Sequence, residues 1–162
     1  MIKRAFKRMN KFLSDKRYFL EAGTALGFYR DGGIIEWDTD VDFGMLYEDW
    51  NDAYIDQLAD IGFALHKDYG DKGRQLTFKY KGVKVDIFLF FRHQDKRVCT
   101  AYEPKEFFMP FPAEMIENTK IVKGYPMPDP IEEYLTIRYG DWRTPVKKYD
   151  WRNPKCRDTI TL

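Results

Sequence analysis

Between Trp37 and Phe43 the chain reads Trp37-Asp38-Thr39-Asp40-Val41-Asp42-Phe43, with an aspartate on every second residue. A period of two is the mark of an extended strand, whose side chains point alternately to its two faces. Built as a strand, the segment puts Asp38, Asp40 and Asp42 on one face and turns Val41 and Phe43 into a core. Carboxylates crowded in this way repel one another. Their natural counterion is a hard divalent cation, Mg²⁺ or Mn²⁺, which takes oxygen ligands and usually brings substrate phosphates with it.

A second acid sits in an equally telling place. The run 83–91, Val-Lys-Val-Asp-Ile-Phe-Leu-Phe-Phe, is apolar apart from Lys84 and Asp86. An ionised carboxylate in such a strand is costly unless it is paired or ligates a metal. If this strand neighbours the first one, Asp86 becomes a third ligand beside Asp40 and Asp42. The alternative is an edge position, with Asp86 accepting backbone hydrogen bonds or pairing with Lys84 or Arg92.

The elements around these strands are mixed. Ile2, Phe6, Met9 and Phe12-Leu13 fall at helical spacing among Lys3, Arg4, Lys7, Arg8 and Lys11, which predicts an amphipathic N-terminal helix; it packs on the core or lies on a membrane surface. A short strand over 18–22 leads through a turn at Gly23-Thr24 into a helix over 25–30. Further predictions are a strand over 40–46, a helix over 48–60, a strand starting near 63, a strand over 75–80 after Gly70-Asp71-Lys72-Gly73, and a Lys81-Gly82 turn into 83–91. A short helix is expected over 129–139. Six prolines, Pro104, Pro110, Pro112, Pro126, Pro128 and Pro130, predict an irregular stretch over 104–130, where acceptor-binding loops could lie. The fold class is therefore α+β, a mixed sheet flanked by helices, in one domain over 1–162.

With 162 residues, 44% of them hydrophobic, the chain can bury a substantial core. Its formal net charge of +1 supplies no global field toward nucleic acid, so stable nucleic-acid binding is not expected. Cys99, Cys156, His66 and His93 fall at no zinc spacing. No secretory signal or membrane span is expected, and the default compartment is cytoplasmic with both thiols reduced.

The segment Gly23-Thr24-Ala25-Leu26-Gly27, followed by Arg30, Gly32-Gly33 and Trp37-Asp38-Thr39-Asp40-Val41-Asp42, resembles the signature of the LicD family, which includes fukutin and fukutin-related protein. Tyr139-Gly140-Asp141-Trp142-Arg143-Thr144-Pro145 resembles a second element of that family, so the resemblance runs from about Tyr18 to Pro145. The departures are Ala25 in place of a bulkier residue, Glu36 where proline is frequent, and Thr39 in place of an acid; none touches Asp40, Asp42 or Asp86. The resemblance implies a nucleotidyltransferase-like fold. It also implies transfer of a phosphorylated alcohol, such as phosphocholine or ribitol phosphate, from a CDP-linked donor to a glycan hydroxyl or other small-molecule acceptor.

Within that expectation, Asp40 and Asp42 hold metal, and Asp86 completes the site and orients or deprotonates the acceptor hydroxyl. Gly23 and Thr24 would bind donor phosphate through backbone amide and hydroxyl. Arg30 either adds a charge-assisted contact or pairs with Asp31 or Glu36. Asp38 either joins the acids or holds the preceding loop. Trp142 stacks on a base or sugar, or belongs to the core. Arg143, with Lys147 and Lys148, meets an anionic acceptor or is a solvated face. Two other activities use the same equipment: transfer of NMP from an NTP, and non-catalytic binding on the same fold.

Overall fold

A computed structural model describes residues 1–70, 73–102, 105–160 and 162. The order is α1 (Ile2–Leu13), β1 (Phe19–Leu20), α2 (Ala22–Leu26), a π-helical turn (Gly27–Asp31), β2 (Asp40–Leu46), a 3₁₀ turn (Tyr47–Asp49), α3 (Ala53–Asp60), β3 (Ala64–Tyr69), β4 (Gln75–Tyr80), β5 (Val83–His93), β6 (Lys96–Ala101), β7 (Phe107–Pro112), α4 (Ala113–Glu117), β8 (Lys120–Val122), β9 (Tyr125–Met127) and α5 (Ile131–Tyr139). The fold is α+β, as the sequence predicts.

The main sheet runs β1-β2-β5-β4-β3, with β6 joined to the far end of β5 and β7 to β6. β2 and β5 are parallel, while the other pairs are antiparallel. Period-two alternation decides what each face does. Val41, Phe43 and Met45 of β2, with Val85, Ile87 and Leu89 of β5, are buried in the core, where Phe6 of α1 stacks on Phe43 at 5.6 Å. The exposed lysines and arginines of α1 lie on its opposite face, which is the core-packing alternative for this helix.

The other sheet face changes character along the strands. Its near half carries Asp40, Asp42, Lys84 and Asp86; its far half carries Gly44, Phe88 and Phe90, with Phe90 against Phe19 at 5.3 Å and Phe111 at 6.1 Å, and Phe111 against Tyr134 at 5.0 Å. Gly44 pairs with Phe19, and a Cβ at Gly44 would overlap the Phe19 ring. The acids thus lie where this second core ends and a cleft begins.

Several expected boundaries shift, each for a local reason. The strand expected over 18–22 is only Phe19–Leu20, because the chain turns at Ala22, whose φ is +48°. Helix α2 starts there, so Gly23 and Thr24 form a first helical turn rather than a loop, with Thr24 and Ala25 amides donating to the Glu21 carbonyl. The helix expected over 48–60 is split: Trp50 is extended, and the Asn51 Oδ1 accepts from the Ala53 amide to start α3. The irregular stretch expected over 104–130 instead holds β7, α4 and the β8-β9 hairpin. Pro110 and Pro112 are tolerated because, among the described residues, β7 has β6 as its one strand partner, and its outer edge is met by Asp158 at Phe108 rather than by a further strand. β6 was not anticipated from the sequence. Asp71, Lys72 and Pro104 lie outside the described residues.

Candidate active site

The parallel pairing of β2 with β5 sets Asp40 opposite Lys84 and Asp42 opposite Asp86. One carboxylate oxygen from each of Asp40, Asp42 and Asp86 lies within 4.8 Å of the others. Asp86 is 2% exposed; its Oδ1 accepts from Thr77 Oγ1 at 2.5 Å, and its Oδ2 lies 3.4 Å from Lys84 Nζ. Lys84 is also 3.6 Å from Asp40 Oδ2. Asp86 thus pairs with Lys84, although β5 is a central strand rather than the edge position of the alternative reading, and its carboxylate lies beside those of Asp40 and Asp42.

The electrostatics report a surplus of negative charge. Burial, then Asp40, Asp86 and Glu21, push the Asp42 carboxyl well above the ordinary range against the pull of Arg138. Burial raises Asp86 too, with Lys84 and Thr77 opposing. Burial works against the charge of Lys84, yet Asp86, Asp40 and Asp42 together hold its pKa up. A single lysine among three acids leaves room for more positive charge, and three carboxylates form an all-oxygen donor set of the kind hard divalent cations take.

The acids lie on the floor of a cleft of about 600 Å³. The C-terminal segment also lines it, including Asp141, Trp142, Lys147, Tyr149 and Trp151. Gly23 lines the cleft, and a Cβ there would sit 3.3 Å from Asp38 Oδ2. Asp38 lines it as well, but in the turn before β2, where its amide donates to the Ile35 carbonyl. The strand starts at Asp40, so the alternation does not extend back to Asp38, which stands outside the trio. Burial, then Asp40, raises the Asp38 pKa to about 6.

Three candidate residues have partners within the protein, and for Arg30 and Arg143 these fit the second alternative stated for each. Thr24 is buried with its Oγ1 accepting from the Asp42 amide at 2.9 Å, and it does not line the cleft. Its hydroxyl ties α2 to β2 because this side of the helix faces the sheet. Arg30 reaches the cleft wall but forms a bidentate pair with Asp31 at 2.8 and 3.0 Å and donates to the Trp142 carbonyl. Arg143 pairs with Glu132 at 2.7 Å, covers the Trp142 ring, and is not among the cleft-lining residues. Trp142 itself is 5% exposed, edge-on to Tyr29, with its Nε1 donating to Thr136 Oγ1.

Thr24 therefore supports Asp42 from behind. Thr24→Val should leave the Asp42 amide buried without a partner, costing about 1–3 kcal/mol and lowering the unfolding midpoint by several degrees, whereas Thr24→Ser should stay close to wild type. Thermal unfolding checks this; a valine variant melting with the parent would remove the role.

Sequence reading missed Thr77, Glu21 and Arg138, and weighed Lys84 only as a partner. Glu21 is 0% exposed and joins Arg138 Nη1 and the Tyr134 hydroxyl through one oxygen, both at 2.5 Å. The Tyr134 hydroxyl in turn accepts from the Ala22 amide. The signal was present: Glu21 stands among Tyr18, Phe19, Leu20 and Ala22, an acid in an apolar run.

A profile described as LicD/FKTN/FKRP, nucleotidyltransferase domain, matches residues 15–123. The chain belongs to this family. Ribitol-5-phosphate transferase FKTN of Homo sapiens is 31% identical over 160 residues, covering 94% of this chain and 34% of that protein. Its Mus musculus counterpart is 31% identical over 144 residues, covering 84% and 31%. An uncharacterised protein of Rickettsia typhi is 30% identical over 139 residues, covering 78% and 40%. The chain thus spans about a third of the length of the fukutins it matches. Among the described residues of this LicD-family chain, no helix is long and apolar enough to cross a membrane.

Proposed function

We propose that this LicD-family chain catalyses transfer of a phosphorylated alcohol from a CDP-linked donor to a glycan hydroxyl, with Asp40, Asp42 and Asp86 holding Mg²⁺ or Mn²⁺. The observation that carries the reading is the carboxylate trio on two parallel strands at the floor of a cleft. When bound, the cation neutralises charge on the donor diphosphate. The protein's part is positioning. Asp86, fixed by Thr77 and Lys84, orients the acceptor hydroxyl, whose oxygen attacks the phosphorus bearing the alcohol. The bond from that phosphorus to the CMP oxygen breaks, CMP leaves, and the hydroxyl proton passes to a carboxylate or to water. Gly23, at the start of α2, brings the helix backbone close to the donor phosphate, and Trp142 and Arg30 shape the wall beside it.

The relatives named ribitol-5-phosphate transferases make CDP-ribitol the first donor to test. In thermal unfolding with Mg²⁺, CDP-ribitol, CDP-choline, CDP-glycerol and the four NTPs are compared. A ligand at a hundredfold excess over its dissociation constant stabilises by about 2.7 kcal/mol, a shift of several degrees. The expected result is a metal-dependent shift with one CDP-alcohol that disappears in Asp40→Asn. Stabilisation by NTPs alone would replace this reading with NMP transfer, and none by any nucleotide would favour a binding protein.

A further inference from the structure

The cleft floor also carries a row of opposite charge. Register places Asp42, Asp86, Thr77 and Lys67 side by side across β2, β5, β4 and β3, and Asp40, Lys84, Lys79 and Ala64 in the next row. All but Ala64 line the cleft, and so does His66, at the irregularity between Leu65 and Lys67. The floor thus changes from acidic on β2 to basic on β4 and β3. Neighbouring strands lie about 4.8 Å apart, so Lys79 is roughly 10 Å from the backbone of Asp40.

The cations nearer the acids are already engaged. Arg30 pairs with Asp31, Arg138 with Glu21, and Lys84 with Asp40 and Asp86. Among the described residues Lys79 has no acid within ion-pair distance, and neither has Lys147, which also lines the cleft. The next row adds Gln75 and Tyr69, whose ring stacks on Tyr102 at 5.2 Å and 4° and has Lys67 Nζ 5.7 Å from its centroid. Lysines bind phosphate as point charges, and flat aromatic faces suit sugar rings.

We propose that Lys79, with Lys67 and His66, forms a second oxyanion subsite that takes a phosphate other than the one at the acids. That phosphate belongs either to the outer part of the donor or to the acceptor. Only the choice between these sources rests on the transferase reading above; the subsite itself does not.

The test uses metal-free protein in EDTA, titrated with inorganic phosphate by calorimetry at low salt. Without a cation the acid end repels phosphate, so binding reports on the lysines. Lys79→Gln should weaken phosphate about fivefold and Lys67→Gln/Lys79→Gln more than about tenfold, while Lys120→Gln on β8 changes nothing. Equal affinity in all variants, or no binding to the parent at millimolar phosphate, would overturn the proposal.

With Mg²⁺ present, a raised dissociation constant for CDP-ribitol in Lys79→Gln assigns the subsite to the donor. Unchanged donor binding, with loss of any preference for glucose 6-phosphate over glucose, assigns it to the acceptor. If no CDP-alcohol binds the parent, the transferase reading fails while the phosphate titration, which uses neither nucleotide nor metal, still decides the subsite.

Discussion

Asp42→Asn is expected to lower transfer at least about a thousandfold while leaving the metal-free protein as stable as the parent or more so. The asparagine keeps the shape and the backbone bond from the Asp42 amide to Thr24. What it removes is a charge that burial and the neighbouring Asp40, Asp86 and Glu21 all disfavour. The sign follows from linkage. A carboxyl whose pKa is raised on folding costs the native state stability progressively as pH rises above the ordinary aspartate range, up to the raised value, and has no such effect below that range. At neutral pH and without metal, the parent therefore carries the penalty and the variant does not. Thermal unfolding in EDTA and in Mg²⁺ reads both halves: the variant should melt at or above the parent in EDTA and gain much less from Mg²⁺. An active Asp42→Asn protein with an undiminished response to Mg²⁺ would show that Asp42 is not a ligand.

Arg138→Leu should be the most damaging single change to stability. Glu21 is fully buried, and its Oε1 meets Arg138 Nη1 and the Tyr134 hydroxyl, while its Oε2 has no hydrogen-bond partner among the described residues. Removing the guanidinium leaves a buried carboxylate without its counter-charge, which typically costs about 3–5 kcal/mol. For a chain of this size that lowers the midpoint by roughly 6–20 °C. Replacing both members by apolar residues, Glu21→Met with Arg138→Leu, should recover much of the loss, because the penalty lies in the unpaired charge rather than in the missing bridge. A single variant melting within about 2 °C of the parent would contradict the pairing. Activity should fall further than stability alone explains, since Glu21, held by Arg138, is the residue from which α2 and Gly23 start, and Arg138 lines the cleft.

Much of the fold was legible locally. β2 and β4 begin and end where alternation predicts, and β5 starts at Val83 after the Lys81-Gly82 turn, because period-two burial is written into neighbouring residues. The proline-rich stretch misled because proline excludes only the ladder side of a strand, and whether β7 is an edge depends on a partner elsewhere in the chain. Thr24 misled for a similar reason: a hydroxyl at a helix start suits a phosphate or a neighbouring strand equally well, and the turn of α2 over β2 chose the strand.

The sequence by itself determined that Asp40 and Asp42 share one strand face, that Asp86 needs a reason to be buried, and that the motifs belong with the LicD family. Only the tertiary structure decided that β5 lies parallel beside β2, which brings Asp86 and Lys84 to the two aspartates. It also decided that Asp38 stands apart, and that Glu21 meets Arg138 across 117 residues of chain. Local periodicity tells a side chain which way to face; which other side chain it meets there depends on strand order and crossover, set by burial of the whole core rather than by any one segment.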